Sequence, residues 1–420
     1  MLYERWRAVA YERRNEMALR DLPAGRTWTF NELAAETERA PVNDQRLLCP
    51  AGTSAGFVLD VLRGWRDGRV ICPLDEGQSL PRLNSFPAGC AHLKLTSATT
   101  ATERLIAFTA EQLAADVDNI VATMGLRPDS PNLGVISLAH SYGFSNLVLP
   151  LLLHGIPLIL AGSSLPETIR QATSGVRNIT LPAVPALWRA WHEADVLGDG
   201  IRLAISAGAP LPLLLEAGVF QRCGLKIHNF YGSSECGGIA YDQSDGPRTD
   251  ATLAGRPMNN VLVNKSSDGC LEVRGAAVAS TYWPEPSQQL AEGCFCTSDL
   301  VELRDGQIFI LGRASDQINV AGRKVYPETI ERVLMEHRGL HDCLVFGVPD
   351  DEAGRGELIV AAIVADARVE EEELKRALSE RLPSWQLPRR WWRVENLGAN
   401  RRGKVSRIAM RQRFLSRTEI

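Results

Sequence analysis

From about residue 45 to 230, short runs of β-branched and aliphatic residues alternate with stretches whose apolar positions recur at helical spacing. Arg46–Cys49, Val70–Cys72, Leu133–Ile136, Pro157–Leu160, Leu203–Ile205 and Lys226–His228 read as strands. Ala55–Trp65, Ala110–Met124 and Leu211–Phe220 read as helices between some of them. That alternation predicts a layered α/β fold with mostly parallel strands. Beyond about residue 250 the rhythm changes to closely spaced strands with turn residues, as in Ser267–Gly275 and Leu303–Ile310, which predicts a small antiparallel unit. After residue 315 a small α+β segment follows: Pro327 opens a helix, Cys343–Gly347 and Leu358–Val364 form strands, and Val369–Leu382 is amphipathic and acidic. The predicted organisation is a large N-terminal domain, residues 1–314, and a small C-terminal one, residues 315–420.

Composition narrows the setting. The 420 residues carry 46 Lys plus Arg against 50 Asp plus Glu, a net charge of −4, which removes the strong basic excess expected of a nucleic-acid binder. Nine cysteines show no zinc-like spacing, so a reducing cytoplasm is the expected location. The charged start Met-Leu-Tyr-Glu-Arg-Trp-Arg does not read as an export signal. The most lipid-like stretch, Leu147–Gly162, is broken by Pro150, His154, Gly155 and Pro157, and predicts a short buried helix and a strand rather than a membrane span. Charge is uneven only near the end, where Arg389–Arg417 holds ten cations, one acid (Glu395) and the pair Trp391–Trp392. Such a cluster can solvate a helix face, attract phosphates of a small ligand, or grip single-stranded nucleic acid. Only six of the 46 cations are lysines, at 94, 226, 265, 324, 375 and 404.

Two segments carry chemistry. Thr96-Ser-Ala-Thr-Thr100 packs four hydroxyl residues into five positions after an apolar strand, where hydroxyls and backbone N–H groups can cradle phosphate. A surface turn explains it equally well, since the glycines that let a backbone wrap phosphate are absent. More specific is Asn229-Phe-Tyr-Gly-Ser-Ser-Glu-Cys-Gly-Gly-Ile-Ala240: a strand ends in a Tyr-Gly turn, two hydroxyls and a carboxylate follow, and a Gly-Gly pair permits close approach of a ligand. A carboxylate beside hydroxyls suits Mg²⁺; a capped β-turn is the other reading.

Phe230-Tyr-Gly-Ser-Ser-Glu-Cys-Gly-Gly resembles the signature of the adenylate-forming enzymes: acyl- and aryl-CoA synthetases, peptide-synthetase adenylation domains and firefly luciferase. Thr96–Arg104 is similar to that family's phosphate loop, His140-Ser-Tyr-Gly-Phe144 to its acyl-pocket segment, and Ser206-Ala-Gly-Ala-Pro-Leu211 to its adenine-side loop. Leu271–Gly275 with Tyr282-Trp283, Thr297–Asp299, Gly312-Arg313, Asn319–Glu328 and Arg402-Gly-Lys404 complete the set in order, so the resemblance spans about Thr27 to Arg407.

The resemblance implies a mobile small domain and a two-step reaction. A carboxylic acid attacks the α-phosphate of ATP to give an acyl-adenylate and pyrophosphate, and the thiol of CoA or of a carrier-protein phosphopantetheine then displaces AMP. Catalysis of this kind is mainly positioning and electrostatics. It further implies that Glu235 binds Mg²⁺, Tyr231 with Gly232 lies near the adenine beside Ala207, Gly208 and Ala209, and Ser233 or Ser234 touches the α-phosphate. Asp299 and Arg313 would hold the ribose, Thr96, Ser97, Thr99, Thr100 and Arg104 the phosphates, and Lys404 would be the catalytic cation. A compact ammonium suits a narrow site better than a planar guanidinium. The acyl pocket would be lined by His140, Tyr142, Phe144, Val184, Trp188 and Gly208, with His140 as a gate rather than a base because a carboxylic acid is already ionised at pH 7. Ser315 stands at the pivot, and Gly322 with Arg323 on the thiol side.

The sequence also departs from the family. Ala98 and Ala101 replace two loop glycines, Glu103 a proline and Arg104 a lysine; Ser315 replaces a charged pivot residue; and the chain is shorter than most members, with only about 95 residues ahead of the phosphate loop. The expected function is therefore a carboxylate ligase, against the alternative of a degenerate scaffold that binds nucleotide or a carrier protein. The basic tail would meet either the phosphate of CoA or an acidic carrier-protein helix.

Overall fold

The structure is a computed structural model that describes residues 1–75, 77–78, 83, 85–95, 104–349, 356–398 and 406–418. Six parallel strands form the centre of its main sheet, in the spatial order Ile227–Ser233, Ile201–Ser206, Ile179–Ala183, Asn132–Gly134, Leu158–Leu160 and Met17–Asp21. The antiparallel strands predicted after residue 250 continue this same sheet rather than standing apart. Strand Ile227–Ser233 turns back through Ser234–Cys236 into Gly237–Tyr241, which pairs with Leu253–Pro257 and so hands the hydrogen-bond ladder on to Gln307–Arg313 and Cys294–Arg304. Conversely, the strands predicted near residues 47 and 70 leave that sheet: Leu47–Leu48 and Val70–Ile71 join His92–Leu95, Leu105–Phe108 and Thr281–Trp283 in a second sheet. Hydrophobic pattern specifies that a segment is a strand, but its partner is set by packing.

Local signals agree with the elements that frame the site. Helix Ala110–Met124 opens with a reciprocal cap between Thr109 and Gln112 and closes on left-handed Gly125 at φ 61°. Pairing of Leu95 with Leu105 holds the two ends of the segment between those strands side by side.

One buried ion cluster ties the helix Leu213–Cys223 to the sheet. Glu216, wholly buried, accepts from Lys226 and, at 2.9 Å, from Arg248 Nε; Lys226 also donates to Asp242 at 2.7 Å. Arg248 is further spent on the carbonyls of Leu211 and Leu253.

Beyond Arg313 a 3₁₀ turn, Ala314–Asp316, leads to a smaller sheet of Leu340–Pro349, Glu357–Ala365 and Arg390–Arg393. Helices Pro327–Met335 and Glu371–Ser379 cover one face, and helix Arg407–Thr418 packs on the other through Met410 against Phe346 and Trp392. Two arginines bridge the large and small units by donating to backbone carbonyls, Arg332 to Leu311 and Arg189 to His341, each at 2.5 Å.

The basic C-terminal segment is largely consumed by the small unit itself. Arg407 pairs with Asp316 at 2.7 Å, Glu328 at 3.1 Å and Glu331 at 2.7 Å; Arg411 pairs with Glu357 at 3.4 Å; Arg413 and Arg417 lie over the Trp392 ring. Arg393 donates to the carbonyls of Ala365, Asp366 and Val369. Most of its described cations are thus engaged within the protein.

Replacing Glu216 by Ala leaves buried Arg248 without its carboxylate and Lys226 with Asp242 alone, so Glu216→Ala is expected to cost about 3–5 kcal/mol, read as a lowered denaturant midpoint. A midpoint equal to that of the parent protein would show that the cluster is not needed.

Candidate functional site

The site forms where the parallel and antiparallel halves of the main sheet meet. In the turn after Ile227–Ser233, the Ser233 hydroxyl accepts from the backbone N–H groups of Glu235 (3.2 Å) and Cys236 (3.1 Å), so this side chain is spent on the turn. Ser234 is reached by the Ser141 hydroxyl at 3.2 Å. Tyr282 donates its phenol to Glu235 Oε1 at 2.9 Å, and the guanidinium of Arg104 lies 5.8 Å from the centre of the Tyr282 ring. The Glu235 carboxylate and the neighbouring Ser234 hydroxyl make an oxygen-only set, and among the described residues no group of three or more His, Cys, Asp or Glu could by itself hold a metal. Such a set fits Mg²⁺, which is commonly bound by one or two carboxylates together with substrate phosphates.

Gly237 and Gly238 are required by geometry. Gly237 has φ +70°, and a Cβ there would fall 2.0 Å from Asp116 Oδ1. Asp116, from helix Ala110–Met124 and only 2 % exposed, accepts the Gly238 N–H at 3.0 Å and the Ser145 hydroxyl at 2.6 Å. It therefore clamps the turn from behind. Sequence reading passed over Asp116; its only signal is an acidic residue on the apolar stripe of Leu113, Val117 and Ile120.

A second cluster joins three predicted residues. Tyr231 donates to Asp299 Oδ2 at 2.5 Å, and Arg313 Nε donates to Asp299 Oδ1 at 3.0 Å. Burial and the neighbouring Asp299 push the Tyr231 phenol well above its ordinary range. The pairing of Asp299 with Arg313 across adjacent strands sets this geometry. Gly232 between the clusters is exposed.

Across from these stands the segment from His140 to Phe144. His140 Nε2 lies 3.1 Å from Asp75 Oδ2, whose other oxygen takes the Ser137 hydroxyl at 2.8 Å. Tyr142 donates to the carbonyls of Ile205 (3.2 Å) and Ala183 (3.4 Å), and its ring meets Phe230 at 5.8 Å. Gly208, left-handed at φ +86° and exposed, faces Val184, whose Cγ1 is 3.5 Å from where a Cβ would stand. Ala207 is buried and Ala209 exposed. Two expected pocket residues sit deeper than a lining position allows. Trp188 is wholly buried, donating to the Ile205 carbonyl and meeting Trp191 edge-on at 5.2 Å. Phe144 is 1 % exposed and packs on His92 at 4.5 Å. Both belong to the hydrophobic cores, which support the pocket from behind.

Thr96, Ser97, Thr99, Thr100 and Lys404 lie outside the described residues. Ser315 is exposed in the 3₁₀ turn, next to Asp316 and its Arg407 partner. Gly322, at φ +82°, has no atom within 4 Å of a would-be Cβ, and Arg323 lies over the Trp385 ring at 5.2 Å, within the small unit. Among the described residues no helix is long and apolar enough to cross a membrane.

Residues 77–283 match the family described as AMP-binding enzyme, and residues 329–404 the AMP-binding enzyme C-terminal domain. A probable 2-succinylbenzoate–CoA ligase of Mycobacterium tuberculosis is 29% identical over 396 residues, covering 87% of this chain and 97% of that protein. A feruloyl-CoA synthase of an Amycolatopsis species is 26% identical over 345 residues, covering 77% of this chain and 69% of the other. Among solved structures, an o-succinylbenzoate CoA synthetase from Bacillus subtilis in complex with its acyl-adenylate intermediate superposes with a TM-score of 0.83 at 19% identity, over 97% of each chain.

Gly237→Ala places a methyl group against Asp116 in a strained conformation costing about 1–3 kcal/mol. It is expected to lower the melting temperature and to displace Glu235, read as a fall in ATP–pyrophosphate exchange. Unchanged exchange would show that the clamp does not set the site.

Proposed function

The chain belongs to the adenylate-forming superfamily of AMP-binding enzymes, and from that premise we propose how its residues divide the work of an ATP-dependent carboxylate–CoA ligase. The reaction joins a carboxylic acid to AMP with release of pyrophosphate and then exchanges AMP for a thiol. One observation carries the assignment: a single strand-and-turn, Ile227–Gly237, presents Tyr231 to the Asp299–Arg313 pair and Glu235 to Tyr282. Two ends of a nucleotide are thereby given distinct places, a base and ribose end at Tyr231, Asp299 and Arg313, and a phosphate end at Glu235.

Asp299 is fixed by two charge-assisted or phenolic hydrogen bonds and keeps acceptor capacity for ribose hydroxyls. Glu235, braced by Tyr282, would hold Mg²⁺, which when bound offsets charge on the triphosphate. Arg104, beside that pair, supplies a cation at the same end. The acid would lie between Tyr142, Val184 and Gly208. Its carboxylate oxygen attacks the α-phosphorus, the bond to pyrophosphate breaks, and Lys404 steadies the charge that develops. The thiolate then attacks the acyl carbon and the carbon–oxygen bond to AMP breaks. His140, oriented by Asp75, gates the acid rather than taking a proton from it. Rotation about Ser315 would bring the exposed Gly322–Arg323 hairpin to the site for this second step. The names of the two curated relatives support an aryl acid and CoA. A holo carrier protein is the competing acceptor. Nine free cysteines fit a cytoplasmic setting.

Pyrophosphate exchange across a panel of aryl and aliphatic acids, followed by transfer to CoA and to a holo carrier protein, tests the reading. Stimulation by an aryl acid and transfer to CoA are expected; no exchange with any acid would leave the scaffold alternative. Lys404→Ala is expected to slow adenylation about 10²–10³-fold while transfer from supplied acyl-adenylate is largely kept. Equal losses in both half-reactions would remove Lys404 from its role.

A further inference from the structure

Strands Leu47–Leu48 and Val70–Ile71 run parallel with Leu48 opposite Ile71, and the same offset recurs where Ala51 bridges Leu74. Cys49 and Cys72 stand in that register between the two pairs, directly opposite each other. Hydrogen bonds hold the ladder on both sides: the Cys72 N–H donates to the Leu48 carbonyl and the Leu74 N–H to that of Pro50, each at 2.9 Å. Side chains alternate across a sheet, so Leu48 and Ile71 join the main core while Cys49 and Cys72 share the other face with Leu47 and Val70. Neighbouring strands lie about 4.7–4.9 Å apart, within the about 4.4–6.8 Å that a disulfide spans between Cα atoms.

Both thiols are free, and they differ in access: Cys49 is half-buried, Cys72 wholly buried. The Cys72 S–H donates to the Cys49 sulfur, and that bond, with the Arg69 guanidinium nearby, draws the Cys49 thiol below its ordinary range against the effect of burial. Arg69 is held in place by the carbonyls of Gln45 and Leu47, at 2.6 and 2.7 Å. A third thiol shares the cluster, but Cys90 donates to the His92 carbonyl at 3.5 Å, and burial pushes it up to about 11. Pro50 has no N–H to give the Cys72 carbonyl, so the ladder lacks a rung where the two sulfurs face each other. The strands can draw together there, as the Cβ separation of about 3.5–4.5 Å in a disulfide requires.

We propose that Cys49 and Cys72 form a peroxide-responsive dithiol, a modification site separate from the nucleotide and acid sites. The Cys49 thiolate attacks one oxygen of a hydroperoxide ROOH, the O–O bond breaks, and RO⁻ takes up a proton and leaves as ROH. Cys49 is then a sulfenic acid. The Cys72 sulfur attacks the Cys49 sulfur, the sulfur–oxygen bond breaks, and the departing hydroxide takes the Cys72 proton as water while the disulfide forms. Two electrons pass from the two sulfurs to the peroxide. The Cys72 thiol stands far above its ordinary range, first because its S–H donates to Cys49 and then through burial; oxidation of Cys49 removes the first of these restraints. In a reducing compartment the disulfides that do form are transient, redox-sensing ones.

The full chain, reduced and then exposed to hydrogen peroxide without denaturant, is sampled over time, alkylated and mapped by mass spectrometry. A peptide cross-linked between Cys49 and Cys72 is expected, forming at least about tenfold faster than any oxidation of Cys90 and lost on adding dithiothreitol. In Cys72→Ser the reaction is expected to stop at a Cys49 sulfenic acid that dimedone captures, and in Cys49→Ser the buried Cys72 is expected to stay reduced at the same dose. The parent protein alone decides the main point, so a variant that fails to fold leaves the test intact. Free Cys49 and Cys72 at a dose that oxidises the other cysteines overturn the proposal, as does a cross-link from either of them to Cys90. A Cys49 sulfenic acid that persists in the parent without closing on Cys72 overturns it too.

Discussion

The whole arrangement depends on one tight reversal of the chain, where strand Ile227–Ser233 folds back into Gly237–Tyr241. That turn is the only place among the described residues where the parallel ladder becomes an antiparallel one within the main sheet's interior. It is possible because Gly237 accepts a left-handed backbone and no side chain intrudes on Asp116. With the turn in place, Tyr231 points to the antiparallel side and Glu235 to the second sheet, where Tyr282 awaits it. The two sheets therefore meet through the Tyr282–Glu235 hydrogen bond.

Fold class was legible because apolar periodicity is strong: helix Ala110–Met124 and four of the six central parallel strands lie where their patterns put them, whereas Met17–Asp21 and Ile179–Ala183 were not read as strands. Sheet membership was not. Leu47–Leu48 and Ile201–Ser206 have the same kind of apolar run, and only packing sends one to the second sheet and the other to the first. Within the site, Tyr231, Glu235, Asp299 and Arg313 were named through the family resemblance, and the structure brings them together in two neighbouring clusters. Trp188 and Phe144 were expected in the pocket from the family resemblance, whereas helix geometry turns both into the core. Asp116 escaped notice because its partners are 29 and 122 residues away.

The basic tail illustrates a different limit. Ten cations in one stretch read as a surface for anions, but position on the fold matters more than count. Arg407 faces three carboxylates, and Arg413 and Arg417 rest on an indole. Charge that a sequence presents as available is here internal cohesion of the small unit, and partly buried Glu331, whose carboxyl is raised to about 7 by desolvation against the pull of Arg407, shows how much of it is drawn away from water.

The two bridges between the large and small units both end on main-chain oxygens, those of Leu311 and His341. Every residue carries such an oxygen, so the recognition is written on one side only. Either acceptor position can drift through evolution without loosening the grip, while the two guanidinium donors cannot. Separation also leaves no carboxylate stranded on the acceptor side, since a carbonyl released from an arginine is readily satisfied by water. A joint of this kind costs little to open and is tolerant of mutation, because water can take the place of the guanidinium on each carbonyl.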